Sequence, residues 1–295
     1  MKSFFIQIKG VVQGVGFRPF VYTLALKYDI KGWVNNDEKG VNILLYACEE
    51  NIRKFINELK SNPPILAKID SINIEEITEI KEYKTFEIIQ SESSKNKSTI
   101  ISPDIAICDD CIEDINDMSN FRYSYSLTNC TNCGPRYSII KTIPYDRINT
   151  SMFSFELCEK CKNEYENPTN RRYHAQPIAC ENCGPTIVLY NNKNEVLSSD
   201  ITAIKEIAQE INKGSIVAIK GMGGFHLICD ANNDKVVEKL RIRKSRLNKP
   251  FAIMFKDINS IKNYTDLTQK EEEFLNSKEK PIVLVKKKKE FNLSQ

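Results

Sequence analysis

The first ninety residues alternate between the hydrophobic periods of strands and helices. Strand patterns occupy residues 4–12, 32–34, 41–47, 69–80 and 85–90, and helix patterns occupy 18–28 and 52–59. The polar turn 35–40 separates the second strand from the third, and Asn62-Pro63-Pro64 ends the second helix. The order β-α-β-β-α-β predicts a ferredoxin-like α+β sandwich.

The last hundred residues show a different alternation. A helix pattern over 201–213 ends at Gly214, and a second helix begins at Asp234. Strands are expected at 215–220, 250–255 and 281–285, with a glycine-rich turn at 221–224. This region therefore reads as α/β. The polar stretch 91–100 is predicted to be a linker.

Charge and hydropathy narrow the class of protein. Forty-two basic residues face 39 acidic ones, for a net charge of +3, which excludes a strongly basic nucleic-acid-coating protein. No apolar run approaches the ~18–20 residues that a membrane span requires. Gln7 and Lys9 interrupt the apolar start, and no cleavage site follows. We therefore expect a cytoplasmic protein without membrane association.

Cysteine usage is unusual for such a chain. Eight of the ten cysteines form four Cys-x-x-Cys pairs, and Cys48 and Cys229 are predicted to be small buried thiols. Because a reducing cytosol disfavours disulfides, paired spacings point to metal. Two pairs supply four thiolates in a closed tetrahedral arrangement, so two structural Zn²⁺ ions are predicted. A four-thiolate iron site and a redox motif remain alternatives at this stage. The predicted ligands are Cys108, Cys111, Cys130, Cys133, Cys158, Cys161, Cys180 and Cys183.

The cysteine region, residues 101–190, is an internal repeat. Shifting the sequence by fifty residues superposes all eight paired cysteines, Arg122-Tyr123 on Arg172-Tyr173, and Gly134-Pro135 on Gly184-Pro185. His174 corresponds to Ser124 in the first copy, which favours a surface or packing role over a ligand role.

A glycine-rich turn joins the first strand to the first helix. Glycines let several backbone N–H groups point into one concavity, and the helix adds its positive N-terminal end. Arg18 supplies a planar cation suited to phosphate. The predicted phosphate-binding residues are Gln13, Gly14, Val15, Gly16, Phe17 and Arg18.

Two stretches of this region resemble the motifs of acylphosphatases. They are V-x-G-V-G-F-R at 12–18 and G-W-V-x-N at 32–36. The resemblance implies that Arg18 binds the phosphate and that Asn36 orients the attacking water. Asn36, rather than Asn35, has the motif's spacing from Trp33-Val34.

Glycines and basic residues recur in the C-terminal region. A flexible turn beside a basic helix end suits a nucleotide or RNA, and a solvated helix face is the alternative. The stretch K-G-x-G-G-F-H-L from Lys220, followed by K-x-R, resembles YrdC-type domains, which make carbamoyl-adenylates from ATP. The predicted nucleotide-binding residues are Lys220, Gly223, His226, Arg243, Lys244 and Arg246.

The three regions together resemble HypF-type carbamoyltransferases of nickel–iron hydrogenase maturation. The expected domains are acylphosphatase-like (1–91), tandem zinc-finger (101–190) and YrdC-like (200–295), the last being only the N-terminal part of its domain. The resemblance implies carbamoyl phosphate and ATP, with Mg²⁺, as substrates and transfer to the C-terminal cysteine of a HypE-type partner protein. We expect this chain to retain carbamoyl phosphate hydrolysis.

Two other functions are compatible with parts of the pattern. Zinc ribbons beside a basic α/β region could bind RNA, and a YrdC-like region could serve tRNA modification. The near-neutral total charge argues against the first, and the acylphosphatase-like and zinc-finger regions argue against the second.

Overall fold

The computed structural model describes residues 1–78, 82–89, 100–246, 248–290 and 292–294. Apart from Ile100, the predicted linker lies outside these residues. The chain forms two compact units, Met1–Pro185 and Thr186–Gln295. Among the described residues, no helix combines the length and the apolarity that a membrane crossing needs.

A five-stranded sheet with two helices begins the first unit. The strands follow the order β4-β1-β3-β2-β5, with β5 parallel to β2 and the other neighbours antiparallel. This arrangement confirms the predicted ferredoxin-like fold. The elements are β1 (Lys2–Val11), α1 (Phe17–Lys27), β2 (Lys31–Asn36), β3 (Val41–Ala47), α2 (Glu49–Ser61), β4 (Lys68–Ile77) and β5 (Phe86–Ile88).

The helices pack on the sheet because their apolar stripes match its inward positions. Ile6 and Ile8 of β1 are fully buried, as are Phe55 and Leu59 of α2. Each such side chain contributes about 1.5–3 kcal/mol when it is removed from water. Cys48 is exposed at the N-terminal end of α2, so the expectation of a buried thiol was wrong there.

The cysteine region repeats in three dimensions as it does in sequence. Helices α3 (Asp109–Asn116) and α4 (Glu159–Glu166) are fifty residues apart, and each begins just after a predicted ligand. Ser124 and His174, which are equivalent, both have positive φ. At this position the two copies therefore share a left-handed backbone conformation although their side chains differ.

The second unit contains two hairpins and several helices. The sequence did not predict the hairpin formed by Val188–Tyr190 and Val196–Ser199 or the strand Phe225–Ile228, although it predicted the helix and strand between them and the helix that begins at Asp234. The elements are β6 (Val188–Tyr190), β7 (Val196–Ser199), α5 (Asp200–Asn212), β8 (Val217–Lys220), β9 (Phe225–Ile228), α6 (Asp234–Arg243), α7 (Ile258–Lys262) and α8 (Gln269–Asn276).

The strands predicted at 250–255 and 281–285 are absent from the described residues, so these predictions were wrong. A strand exists only where a neighbour completes its ladder of hydrogen bonds. Apolar side chains in these segments are instead exposed, among them Met254, Ile282 and Leu284.

Candidate functional site

The turn between β1 and α1 has the backbone of an anion cradle. Gly14 and Gly16 have φ values of 72° and 74°. These values lie in the left-handed region, which residues with a side chain disfavour. Gly16 is the N-cap of α1 and has no side chain with which to cap the helix. The first N–H groups of a helix lack intrahelical partners, so they are available to a phosphate.

Arg18 and Asn36 lie at the same cleft, together with the turn. Arg18 is 8 % exposed and Asn36 is 1 % exposed. The buried Oδ1 of Asn36 has no hydrogen-bond partner, so it can accept one from a water molecule. Asn35 is equally buried and does not line the cleft.

The predicted phosphate-binding residues differ in whether they line the cleft. Gly14, Gly16, Phe17 and Arg18 line the cleft, as does Gln13, whereas Val15 is buried in the core. The Gln13 amide donates to the carbonyls of Asp37 and Gly40 and accepts from the N–H of Tyr145. Gln13 therefore braces the cleft through its side chain.

The cysteine region supplies the other wall of the cleft, a contribution that was not predicted from the sequence. The two copies differ at several wall positions, and those differences were the available signal: Arg136 corresponds to Thr186, and His174 to Ser124. The lining residues from this region are Thr131, Arg136, Tyr145, His174, Ala175, Gln176 and Pro177.

Asp146 forms an ion pair with Arg18, although it does not itself line the cleft. Its Oδ1 lies 2.6 Å from Nη1 of Arg18, and the Tyr145 carbonyl accepts from Nη2 at 3.3 Å. A carboxylate thus occupies one edge of the guanidinium that is expected to bind phosphate. An incoming phosphate dianion is repelled by this carboxylate at short range.

Asp146→Asn is expected to tighten the binding of inorganic phosphate about tenfold. The amide keeps an oxygen acceptor for Arg18 and removes the repelling charge, which at such distances is worth on the order of 1–3 kcal/mol. Isothermal titration calorimetry on the wild type and the variant measures this, with exposed Asp117→Asn as the control. Weaker binding in Asp146→Asn would contradict the prediction.

His174 faces the cleft as a neutral side chain. Burial, together with the nearby Arg18 cation, lowers the pKa of His174 to about 4. Its ring packs edge-on against Tyr173 at a centroid distance of 4.6 Å. His174 belongs to neither cysteine cluster, in agreement with the packing role predicted for it.

The eight predicted metal ligands form two separate clusters. In each, the four sulfur atoms lie within 4.8 Å of one another. Cys108 and Cys130 are 3.7 Å apart and Cys158 and Cys180 are 3.6 Å apart, close to the ~3.8 Å edge of a tetrahedron with Zn–S bonds of ~2.3 Å. Burial raises the pKa of the Cys161 thiol. A cation is needed to hold such a set as thiolates, and the clusters fit two zinc ions.

Each copy of the repeat binds the metal cluster of the other. Arg122 donates to Cys161 Sγ at 3.2 Å and to the Ala179 carbonyl, and Arg172 donates to Cys111 Sγ at 3.8 Å. The carbonyl that accepts from Nε of Arg172 belongs to Asn129, the equivalent of Ala179. Arg122 and Arg172 are almost fully buried, so this exchange forms the centre of the finger pair.

The predicted nucleotide-binding residues fall into two groups in the second unit. Lys220, Gly223 and His226 lie on the hairpin β8–β9, and Arg243 and Lys244 are exposed at the end of α6. Nearby Arg246 donates to the Pro250 carbonyl. Across the described part of this unit, no hydrogen bond or ion pair joins the two groups.

Family models match three parts of the chain. The Acylphosphatase model matches residues 4–88, and the HypF finger model matches 107–140 and 157–190. The Sua5/YciO/YrdC model, described as Telomere recombination, matches 209–295. Residues 4–88 therefore form an acylphosphatase domain.

Known proteins match both the whole chain and its first domain. A probable carbamoyltransferase HypF of Methanocaldococcus jannaschii is 48 % identical over 288 residues, which are 97 % of this chain and 37 % of that protein. A crystal structure of full-length HypF in its phosphate- and nucleotide-bound form has a TM-score of 0.91 and 46 % identity, covering 100 % of this chain and 38 % of that one. An acylphosphatase of Listeria monocytogenes is 41 % identical over 85 residues, 28 % of this chain and 91 % of that enzyme. The chain thus spans just over a third of the length of the HypF relatives that it matches.

Proposed function

Because the chain belongs to the HypF carbamoyltransferase family, we propose that its first unit hydrolyses carbamoyl phosphate as the first step of carbamoyl transfer. The observation that carries this proposal is the cleft that unites the phosphate loop with Arg18 and Asn36. An RNA-binding or tRNA-modifying role is not favoured, because the relatives aligned over nearly the whole chain are carbamoyltransferases.

The chemistry of the first step follows from the cleft. The N–H groups of the loop and the Arg18 guanidinium hold the phosphoryl oxygens, and these donors act strongly because the site is largely shielded from water. The Asn36 carbonyl accepts from a water molecule and directs it at phosphorus. The P–O bond to the carbamoyl group breaks, inorganic phosphate forms, and carbamate leaves. The good leaving group makes a strong general base unnecessary.

Asn36→Ala is expected to lower kcat for carbamoyl phosphate about 100-fold with a small change in KM. The amide orients the nucleophile and does not bind the phosphate, so its loss affects the transition state more than the ground state. Release of inorganic phosphate measures the rate. Asn35→Ala, a buried neighbour outside the cleft, is the matched control, and equal losses in both variants would contradict the assigned role.

For the second unit we propose activation of carbamate by ATP. Carbamate attacks the α-phosphorus of ATP, so that carbamoyl-adenylate forms and pyrophosphate leaves. The hairpin residues Lys220, Gly223 and His226 and the α6 residues Arg243, Lys244 and Arg246 are the proposed ATP contacts, with Mg²⁺ on the phosphates. Transfer to the terminal cysteine of a HypE-type protein completes the proposed sequence. The eight thiol ligands require a reducing compartment, which supports a cytoplasmic location.

Phosphate release from carbamoyl phosphate by the purified chain tests the first step. We expect turnover without ATP, since hydrolysis precedes activation. Failure of a chain that retains both zinc ions to release phosphate would overturn the proposal. Pyrophosphate formation that depends on both carbamoyl phosphate and ATP tests the second step.

A further inference from the structure

A second guanidinium lies in the cleft, and it comes from the finger region. Arg136 is 1 % exposed and lines the cleft beside the phosphate loop. Its counterpart in the second copy is Thr186, so the repeat itself does not require an arginine here.

In the described part of the chain, the side-chain hydrogen bonds of Arg136 go to carbonyl groups, and no ion pair includes its guanidinium. Asp104 accepts from the backbone N–H of Arg136, and the Arg136 charge helps to lower the pKa of this carboxyl group from nearby. The buried arginines that form ion pairs among the described residues are Arg18, Arg122 and Arg172. A buried cation without a direct ion pair is costly, and an anion in the cleft would compensate it. The carbonyl acceptors of its side chain are those of Gly14, Cys130, Thr131, Cys133 and Pro135.

One of these bonds reaches the phosphate loop. Nε of Arg136 donates to the Gly14 carbonyl in a short hydrogen bond. Since a trans peptide directs its C=O and N–H in opposite directions, fixing this carbonyl also fixes the direction of the Val15 N–H. The other acceptors belong to the segment that carries Cys130 and Cys133, which anchors the guanidinium.

We propose that Arg136 is a positioning residue of the phosphate site, which orients the Gly14–Val15 peptide and supplies the positive charge that Asp146 removes from Arg18. The inference rests on the proposed function, because it concerns the anion that the same cleft binds. The finger region thereby becomes part of the acylphosphatase site in addition to its metal-binding role.

The test compares Arg136→Met with Arg136→Lys. Calorimetry with inorganic phosphate and steady-state kinetics with carbamoyl phosphate provide the readouts, and metal analysis verifies two zinc ions per chain. We expect Arg136→Met to raise the phosphate Kd and the KM at least about tenfold, with kcat within about threefold of the wild type, because the phosphoryl group is bound in both ground and transition states. Arg136→Lys keeps the charge and should remain within about fivefold of the wild-type Kd.

The control is Arg53→Met, since Arg53 is an exposed arginine of α2 that does not line the cleft. Wild-type phosphate affinity in Arg136→Met, or an equal loss in Arg53→Met, would overturn the inference. If Arg136→Met does not fold, the phosphate affinity of Arg136→Lys tests the inference instead. Affinity as weak as that of Arg18→Ala would overturn the inference, and affinity close to that of the wild type would support it. Absence of hydrolysis by the wild type would instead count against the proposed function.

Discussion

Replacing Arg18 with alanine is expected to lower kcat/KM for carbamoyl phosphate by about 10²–10³-fold. Removing one donor from a transition-state anion site costs about 3–4 kcal/mol. Arg18 is 8 % exposed, so water replaces its charge poorly. The substitution also leaves the Asp146 carboxylate beside the cleft without its Arg18 partner, and this charge then opposes the phosphate.

The second contribution makes a double variant informative. Arg18→Ala/Asp146→Asn should bind inorganic phosphate more tightly than Arg18→Ala, because it lacks the unpaired carboxylate. Phosphate release and calorimetry measure both effects, and Arg53→Ala on the exposed side of α2 is the control. Activity within threefold of the wild type in Arg18→Ala, with two zinc ions retained, would remove this site from the reaction.

Loss of one metal cluster is expected to empty the other. In Cys111→Ser the first cluster loses a ligand, and Arg171 and Arg172 lose the sulfur to which they donate. Arg172 is 3 % exposed and keeps its ion pair with Asp114, so the loss of its sulfur acceptor costs about 1–3 kcal/mol. Because Arg172 lies between Cys161 and Cys180 in the sequence, this loss also destabilises the segment that holds the second cluster. Metal analysis should therefore give fewer than one zinc ion per chain, where independent sites would give one.

Cys161→Ser provides the reciprocal experiment. Arg122 donates to Cys161 from the first copy, so damage to the second cluster should spread in the opposite direction. Cys48→Ser, an exposed thiol outside both clusters, should keep two zinc ions. One tightly held zinc ion in each cluster variant, with an unchanged thermal transition, would show that the copies bind metal independently.

The features that the sequence predicted well are local. The phosphate loop needs glycines at left-handed positions and a cation in the first turn of the helix, and Gly14, Gly16 and Arg18 satisfy these needs within five residues. The cysteine pairs behave similarly, because two residues between thiols already place both on one turn. Such short-range rules do not depend on how distant segments pack.

The missed features depend on packing between distant segments. Asp146 reaches Arg18 across 128 positions of sequence, and the turn that carries it has no chemical motif of its own. Asp146 lies between the two finger copies, 107–140 and 157–190, so a comparison of the copies offers no counterpart for this position. The strand predictions at 250–255 and 281–285 were wrong for a related reason. The pattern of apolar residues indicates which face of a strand is buried, but it does not show whether a neighbouring strand is available for pairing.

The exchange of arginines between the two copies sets the smallest piece of the finger region that can fold. A single copy would hold a buried guanidinium with no thiolate to receive it and a thiolate cluster with no guanidinium beside it. The fifty-residue repeat is therefore half of a folding unit. We therefore expect a region of this kind to gain or lose copies only in pairs. A single copy inserted into another protein should not fold.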